Sequence, residues 1–254
     1  MGRRRSERAT PGEARDRVGL VTGGVGATVE KLGEAWGAVA ERLSDGQAVG
    51  VAHRSEHWEC VYAATPSTGV SWYEREPAMS IRLIEANEAG SSAAVVDVGA
   101  GASVLVDHLV VLGYDDVTVL DISRRALDDV RQRLGERCEG VVFVQHDVLR
   151  WEPSRLYDVW HDRAAFHFLT ERNDRDRYVE VVARAVRVGG SAVFATFAED
   201  GPTQCSGLPV VRYSAEMLAE VFSAHFSLAT EDREEHVTPA GVAQPLTWVV
   251  LRRE

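Results

Sequence analysis

The feature that most constrains the fold is a regular alternation of short apolar runs and amphipathic segments from residue 92 onward. The apolar runs have the length and β-branched content of buried strands, and the segments between them repeat apolar residues at helical spacing. Repeated strand, helix, strand predicts a parallel sheet covered by helices on both faces. The predicted strands are 94–98, 117–120, 141–144, 157–160 and 192–197, and the predicted helices are 104–112, 123–134, 174–186 and 214–222.

The last part of the chain follows another pattern. Apolar segments 226–230 and 246–251 are joined by a polar stretch without helical periodicity, which predicts an antiparallel pair closing one edge of the sheet. Ser123 and Ser214 each precede an amphipathic run and are predicted N-caps.

The N-terminal third is organised differently from the α/β part. Residues 1–20 are charged and aperiodic and predict a flexible tail, whereas 21–90 predict a helical cap or lid region in front of a domain at 91–254. Within 25–43, apolar residues recur at steps of three and four, which is typical of an amphipathic helix. Such a helix could cap the core, cover a site or contact another subunit.

Charge and cysteine content exclude several classes of partner. A net charge of −11 argues against nucleic acid, since affinity for phosphates depends on Lys and Arg. No apolar run approaches the ~20 residues that span a bilayer, so no membrane partner is expected. Three scattered cysteines predict neither a disulfide framework nor a metal site, and they are typical of a reducing, cytoplasmic setting.

The sharpest motif is the segment 95–103, in which an apolar strand runs into a glycine-rich turn that opens a helix. Gly99 and Gly101 allow a sharp bend and a close backbone approach to a ligand. The third glycine of the dinucleotide fingerprint is absent, and Val104 takes its place. A nicotinamide-dependent oxidoreductase is therefore disfavoured.

Two further carboxylates follow successive predicted strands. Asp121 ends the strand about 20 residues after the glycine turn, where a carboxylate can accept both hydroxyls of a ribose. Asp147 follows the next strand and can accept an amino proton of adenine, while the amide of Val148 donates to the ring. Ligands of open α/β sheets bind at these carboxyl ends, so the acids are expected to converge.

With these motifs the chain from about residue 58 onward resembles the class I S-adenosylmethionine-dependent methyltransferase superfamily. The segment 97–101 is similar to its first motif, and 187–190 resembles the turn before its fifth strand. The resemblance implies a Rossmann-like sheet of seven strands, mostly parallel with an antiparallel last strand, and S-adenosylmethionine as cofactor. The implied cofactor-binding residues are Asp97, Gly99, Gly101, Asp121, Ile122, Asp147 and Val148.

Catalytic candidates lie at the end of the fourth predicted strand, which meets the methyl end of the cofactor in the superfamily. The candidate catalytic residues are His161, Asp162 and Arg163. His161 or His167 could act as a general base, and Arg163 could orient an anionic acceptor. Alternatively, Asp162 and Arg163 form a structural ion pair. The segment 162–165 resembles the Asp-Arg-Gly-Ala motif of thiopurine-type S-methyltransferases, with Ala164 in place of glycine.

Acceptor contacts are predicted from two other regions and from the loop after the fourth strand. Cys205 lies in the loop after the fifth strand and could touch a soft acceptor, although a plain loop cysteine is the simpler interpretation. Trp72 and Tyr73, together with His57 and Trp58, could form an aromatic lid or pack against the first helix. His167 could contact the acceptor or simply pack.

These patterns predict a methyltransferase acting on a small molecule, with a thiol or similarly soft nucleophile favoured. The alternatives are a protein lysine methyltransferase and a cofactor-binding module without catalysis. The glycines and acids of the motifs are compatible with all three functions, so the acceptor, its reacting atom and the oligomeric state stay open.

Overall fold

The computed structural model describes Gly2, residues 51–86 and residues 90–254. The predicted tail at 1–20 and the predicted helix at 25–43 lie outside the described residues, apart from Gly2. The described helices are α1 (Val51–Ala64), α2 (Ala78–Glu85), α3 (Leu105–Val111), α4 (Arg124–Leu134), α5 (Arg172–Ala185) and α6 (Ala215–Phe222). The described strands are β1 (Val95–Val98), β2 (Val117–Asp121), β3 (Val141–Gln145), β4 (Tyr157–Arg163), β5 (Val186–Phe197), β6 (Gln204–Cys205), β7 (Leu208–Pro209), β8 (Phe226–Val237) and β9 (Ala243–Arg253).

The main sheet has seven strands in the order β3-β2-β1-β4-β5-β9-β8. The first five pair in parallel, and β9 runs antiparallel to both of its neighbours. The order turns back between β1 and β4, which is the crevice where ligands of open α/β sheets bind. The predicted Rossmann-like fold with an antiparallel last strand is confirmed.

Apolar side chains fill both faces of this sheet. One layer contains the large buried rings of Trp160, Tyr178 and Phe194, packed against α5 and α6. The opposite layer contains Leu109 of α3 and Trp248 of β9. Every residue of β1 and β2 is buried, as expected for central parallel strands covered on both sides.

The helices begin where the sequence places their caps. The Ser123 hydroxyl accepts a hydrogen bond from the amide of Ala126, and the Ser214 hydroxyl accepts one from Met217. Each satisfies an amide that the first helical turn leaves without a partner. The two serine caps predicted from the sequence are confirmed.

Several element bounds differ from the sequence-based expectation. Strand β4 continues through Arg163, so the catalytic candidates at 161–163 belong to the strand itself. Strand β5 begins at Val186, so the glycine pair that we expected before it lies within it, beside an irregular pairing between β4 and β5. The polar stretch after 230 is strand as well, because it pairs with β9 as far as Val237.

Two helices precede the sheet within the described residues. Helix α1 brings Arg54, Trp58 and Tyr62 to the carboxyl edge of the sheet. Its residue Glu59 accepts hydrogen bonds from the first amides of α4, which ties α1 to the start of that helix. No helix in the described part of the chain is long and apolar enough to cross a membrane.

Candidate functional site

A cavity opens at the carboxyl ends of the central strands and is covered by α1. The two halves of its wall are named after the ligands that the sequence predicts for them. One half, the cofactor half, comes from the ends of β1 to β3. The other half, the acceptor half, comes from β4, β5, the β6–β7 hairpin and the β8–β9 pair. The cofactor half is lined by Val98, Gly99, Leu120, Asp121, Ile122, His146, Asp147, Val148 and Leu149. The acceptor half is lined by Arg163, Ala164, Ala165, Phe168, Leu169, Phe197, Cys205, His236, Gln244 and Leu246.

The glycine turn has the conformation that its sequence predicts. Gly99 and Gly101 have φ values of +62° and +56°, a region that side chains with a Cβ rarely adopt. A Cβ at Gly99 would overlap the Cβ of Ala165, and a Cβ at Gly101 would overlap the Tyr62 hydroxyl. The turn is therefore packed from both sides, and neither position has room for a side chain.

Asp121 lies at the end of β2 and is bound by two backbone amides. Its Oδ2 accepts from the amide of Gly101 at 2.7 Å, and its Oδ1 accepts from the amide of Ser123 at 2.7 Å. Burial raises its pKa to about 6, against the lowering effect of these amides, and the charges of Asp97 and Glu59 add to the rise. The carboxylate is thus fixed at the cavity wall and close to protonation near neutral pH.

Asp147 follows β3 and is bound from two sides. Its Oδ1 accepts from the amide of Leu149 at 3.0 Å, as the cap of a short 3-10 helix. Its Oδ2 accepts from Arg54 of α1 at 2.9 Å. Both cavity-lining acids therefore have a fixed orientation.

Asp97 and His161 form a buried pair on adjacent strands. Nδ1 of His161 lies 2.7 Å from Oδ1 of Asp97, and Nε2 lies 3.0 Å from the hydroxyl of Ser80. Both line a smaller cavity on the other side of Gly99. Because both ring nitrogens already have protein partners, this geometry suits a positioning role for His161 better than that of a general base.

Asp162 points to the opposite face of β4 and does not pair with Arg163. It accepts hydrogen bonds from the Tyr178 hydroxyl and from the amides of Ala165 and Phe166. Burial raises its pKa to about 6 in spite of these donors. The ion pair that we considered from the sequence is wrong, because successive residues of a strand point to opposite faces.

The acceptor-half loop that Asp162 anchors begins with a strained residue. Ala164 has φ of +65°, which is uncommon for a residue with a side chain and costs roughly 1 kcal/mol or more. A glycine would adopt this backbone conformation without that cost. The amides that Asp162 accepts from hold this loop in place beside Gly99.

Arg163 forms a network with residues far away in sequence. Its guanidinium donates to Oε1 of Glu74 at 2.7 Å and to the carbonyl of Trp72 at 2.9 Å, and it lies 3.3 Å from Nδ1 of His236. Nε2 of His236 donates to the carbonyl of Ser71 at 2.7 Å. Burial pushes the pKa of Glu74 upward, but the His236 hydrogen bond and the Arg163 charge outweigh it and leave the pKa lowered.

The predicted acceptor contacts lie in different surroundings. Cys205 is buried on the hairpin and lines the main cavity, and burial raises the pKa of its thiol. Trp72 lies on the wall between the two cavities, while Tyr73 lines the smaller one. His167 is fully buried outside both walls, and burial lowers its pKa to about 3. A buried, neutral ring that lines neither cavity does not contact an acceptor there, so that prediction for His167 is corrected.

Trp58, one of the aromatic lid candidates, packs against Trp72 and Phe168 with ring centroids 5.9 and 5.1 Å apart. Sequence analysis did not identify several other residues of this region. Tyr62 closes the glycine turn. Glu74 and His236 complete the network of Arg163. Their only sequence signal is polar character at scattered positions, which the strand register and the placement of α1 bring together.

The structure defines an open α/β fold whose carboxyl edge carries a glycine turn flanked by two buried acids. A family model for a methyltransferase domain matches residues 95–190, which include β1 to β4 and the beginning of β5. The chain contains a methyltransferase domain with the fold of the class I methyltransferases, and the cofactor of this class is S-adenosylmethionine. The glycine cradle and the two fixed acids at the cavity wall fit the adenosyl group of that cofactor.

Particular relatives share this fold at low identity. A mouse eEF1A lysine and N-terminal methyltransferase is 26% identical over 145 residues, which cover 54% of this chain and 20% of the mouse protein. The chain therefore spans about a fifth of the length of that relative. A protein solved in work on the conversion of a disulfide bond into a thioacetal group during echinomycin biosynthesis is 23% identical, with a TM-score of 0.64 over 79% of this chain and 93% of that one.

A third relative is the 1,6-didemethyltoxoflavin-N1-methyltransferase of Burkholderia thailandensis, solved with its acceptor and S-adenosylhomocysteine. It is 18% identical and has a TM-score of 0.54 over 93% of this chain and 94% of that one. At such identities the two solved structures establish the fold and leave the acceptor of this chain open.

Proposed function

We propose that the chain transfers a methyl group from S-adenosylmethionine to a small molecule, with a thiol or similarly soft nucleophile as the acceptor. One observation carries the proposal: a single cavity runs from the glycine turn and Asp121 to an apolar compartment that contains Cys205. Such a cavity can hold a cofactor and an acceptor side by side, which is the main requirement of a two-substrate transfer.

In this proposal the cofactor half binds the adenosyl group. The glycine turn lets the backbone approach the ligand, Asp121 accepts from the ribose hydroxyls, and Asp147 accepts from the adenine amine. Ile122 and Val148 line the base pocket between these acids. When bound, the cofactor supplies an electrophilic methyl group on a sulfonium.

The acceptor half is proposed to hold the nucleophile in an apolar setting with few free polar groups. Arg163 is neutralised by Glu74, and Nε2 of His236 is committed to the carbonyl of Ser71. This arrangement offers an acceptor little help with deprotonation. A soft nucleophile needs the least such help, because a thiol ionises more readily than a phenol or an alkyl ammonium.

The roles of the three residues at the end of β4 differ in this proposal. Arg163 lines both cavities and is assigned contact with the reacting groups. Asp162 and His161 are assigned positioning roles, the first through the loop at 164–166 and the second through Asp97. Catalysis then rests on alignment and exclusion of water more than on proton transfer.

A second candidate acceptor is a protein amine. It is favoured by the 26% identity to the mouse lysine and N-terminal methyltransferase. The acidic net charge of −11 would also attract a cationic acceptor. Helix α1 lines the cavity with Arg54, Trp58 and Tyr62, and this cover argues for a small molecule, since a protein side chain needs an open channel.

The test has two steps. Calorimetry with S-adenosylhomocysteine should show saturable binding by the wild-type chain and weak binding by Asp121→Ala. Radiolabelled S-adenosylmethionine should then be offered with thiols, phenols, amines and lysate proteins, with Asp121→Ala as the negative control. Label transferred to a thiol supports the proposal, label on protein supports the second candidate, and cofactor binding without transfer to any acceptor indicates a binding module.

A further inference from the structure

Arg54 lines the cavity from α1, beside the cofactor half, and has no role assigned above. It lies on α1, 93 residues before Asp147, and its Nη2 donates to Oδ2 of that acid at 2.9 Å. Its Nη1 lies 3.3 Å from Oδ2 of Asp174, in the first turn of α5. The guanidinium thus bridges two acids from different elements, one at the cavity wall and one at the beginning of α5.

The Asp147 carboxylate is nearly inaccessible, with a side chain that is 5% exposed. One oxygen accepts from the amide of Leu149 and the other from Arg54, so neither is free to rotate away. An ionised carboxylate has about four acceptor sites and no proton to donate. Paired in this way, Asp147 can accept a further hydrogen bond from a ligand but cannot give one.

We propose that Arg54 is a positioning residue that makes the base pocket selective for a purine with a 6-amino group over one with a 6-oxo group. The inference rests on the proposed function, namely that Asp147 faces the base of the cofactor. A 6-amino group donates to the carboxylate. A 6-oxo group would place its oxygen, an acceptor, against a carboxylate oxygen that is also an acceptor. No hydrogen bond could form between them, so a ligand with the 6-oxo group would bind more weakly.

The bridge to Asp174 supports this role. A guanidinium held at two of its nitrogens has a fixed orientation, so the donor that faces Asp147 is fixed as well. Without Arg54, the carboxylate keeps only the amide of Leu149 and can rotate. A carboxylate that turns away from the base no longer distinguishes a donor from an acceptor at position 6, so selectivity should decline even where overall binding survives.

The experiment compares S-adenosylhomocysteine with S-inosylhomocysteine by calorimetry on the full chain. For the wild type we expect the adenosyl ligand to bind roughly 100-fold tighter. For Arg54→Leu the ratio should fall to about 10-fold or less, and Arg54→Lys should be intermediate because a single ammonium cannot bridge two acids as a planar fork does. Arg172→Leu is the matched control, since it removes an equal charge from an exposed arginine at the beginning of α5.

Each outcome decides the inference. If Arg54→Leu weakens the binding of both ligands equally, Arg54 has only a structural role and the inference is wrong. If the variant binds S-adenosylhomocysteine more tightly than the wild type does, Arg54 competes with the base and the inference is also wrong. If Arg54→Leu fails to fold by thermal unfolding, Arg54→Lys and Asp174→Asn must still lower the ratio. Wild-type protein that binds neither ligand would refute the proposed function itself, whereas strong binding with an unchanged ratio refutes only the role of Arg54.

Discussion

The two halves of the cavity hold their charged groups in opposite ways. In the cofactor half, Asp121 and Asp147 each accept from a backbone amide two residues further along the chain. In the acceptor half, Arg163 is held by side chains and carbonyls more than 70 residues away in sequence. The first arrangement forms with the strand ends themselves, while the second needs the whole domain to be assembled.

This difference predicts that the halves respond differently to substitution. Changes at the glycine turn or Asp121 should affect cofactor affinity directly, because these groups are rigid and have no substitute. Changes in the acceptor half should leave cofactor affinity nearly unchanged and act on turnover. Five predictions test this division, in order of decreasing effect.

Substitution of Gly99 should have the largest effect. Gly99→Ala combines the strain of a left-handed backbone conformation with an overlap between the new Cβ and Ala165. We therefore expect the unfolding free energy to fall by about 2–4 kcal/mol and the affinity for S-adenosylhomocysteine to fall more than about 100-fold. Urea unfolding and calorimetry measure the two effects. Gly135→Ala is the control, because its φ of +56° is similar and a Cβ there meets nothing within 4 Å. Equal losses in both variants would mean that packing at the turn is unimportant.

Removal of the Asp121 carboxylate should weaken the cofactor next. Asp121→Ala deletes charge-assisted acceptors, and we expect a loss of about 1.5–3 kcal/mol in the free energy of cofactor binding, measured by calorimetry. Asp128→Ala removes a half-exposed acid of α4 and should leave affinity unchanged. Unchanged affinity in Asp121→Ala would contradict its assignment to the cofactor half.

The raised pKa of Asp121 predicts a pH dependence of cofactor binding. With a pKa of about 6, the acid is mostly ionised at pH 7 and mostly protonated at pH 5. Affinity for S-adenosylhomocysteine should therefore fall about tenfold between these values. Asp121→Asn should remove this step. A slope that persists in the variant belongs to another group, such as Asp162, whose pKa is also about 6.

The raised pKa of Asp121 has the opposite effect on the stability of the free protein, because the unfolding free energy rises as the pH falls. The folded pKa of about 6 lies above the ordinary value of 3.8, so the folded state holds the proton more tightly. The stabilisation from Asp121 is complete below pH 3.8 and is lost as the pH rises through 6. Its contribution should raise the unfolding free energy by about 1 kcal/mol between pH 7 and pH 5, and Asp121→Asn should lack this part of the pH profile.

Substitution of Cys205 should have the smallest effect on the cofactor. The thiol is buried in the acceptor half, so Cys205→Ser should change S-adenosylhomocysteine affinity by less than about twofold while altering turnover of a thiol acceptor severalfold. Cys60→Ser, at an exposed position of α1, is the control for both measurements. A large loss of cofactor affinity in Cys205→Ser would show that the two halves are coupled.

The division also explains how far sequence reasoning reached. The sheet, its helices and the positions of Asp121 and Asp147 follow from local patterns, because apolar periodicity and glycine turns are properties of short segments. The pairing of Asp162 was wrong because the residue was read as part of a loop, whereas β4 continues and alternates its side chains. The acceptor contact predicted for His167 is not seen, because the residues next to it in the sequence do not reveal that its side chain is buried.

By itself, the sequence determined the class of fold and the carboxyl edge at which the acids converge, since each of these depends on residues within one strand and its following turn. The tertiary structure decided which groups meet across the cavity: Arg54 with Asp147, and Arg163 with Glu74 and His236. These contacts join residues 73–93 positions apart, and only the packing of α1 and the register of the last strands determine which of many polar side chains come within hydrogen-bonding distance.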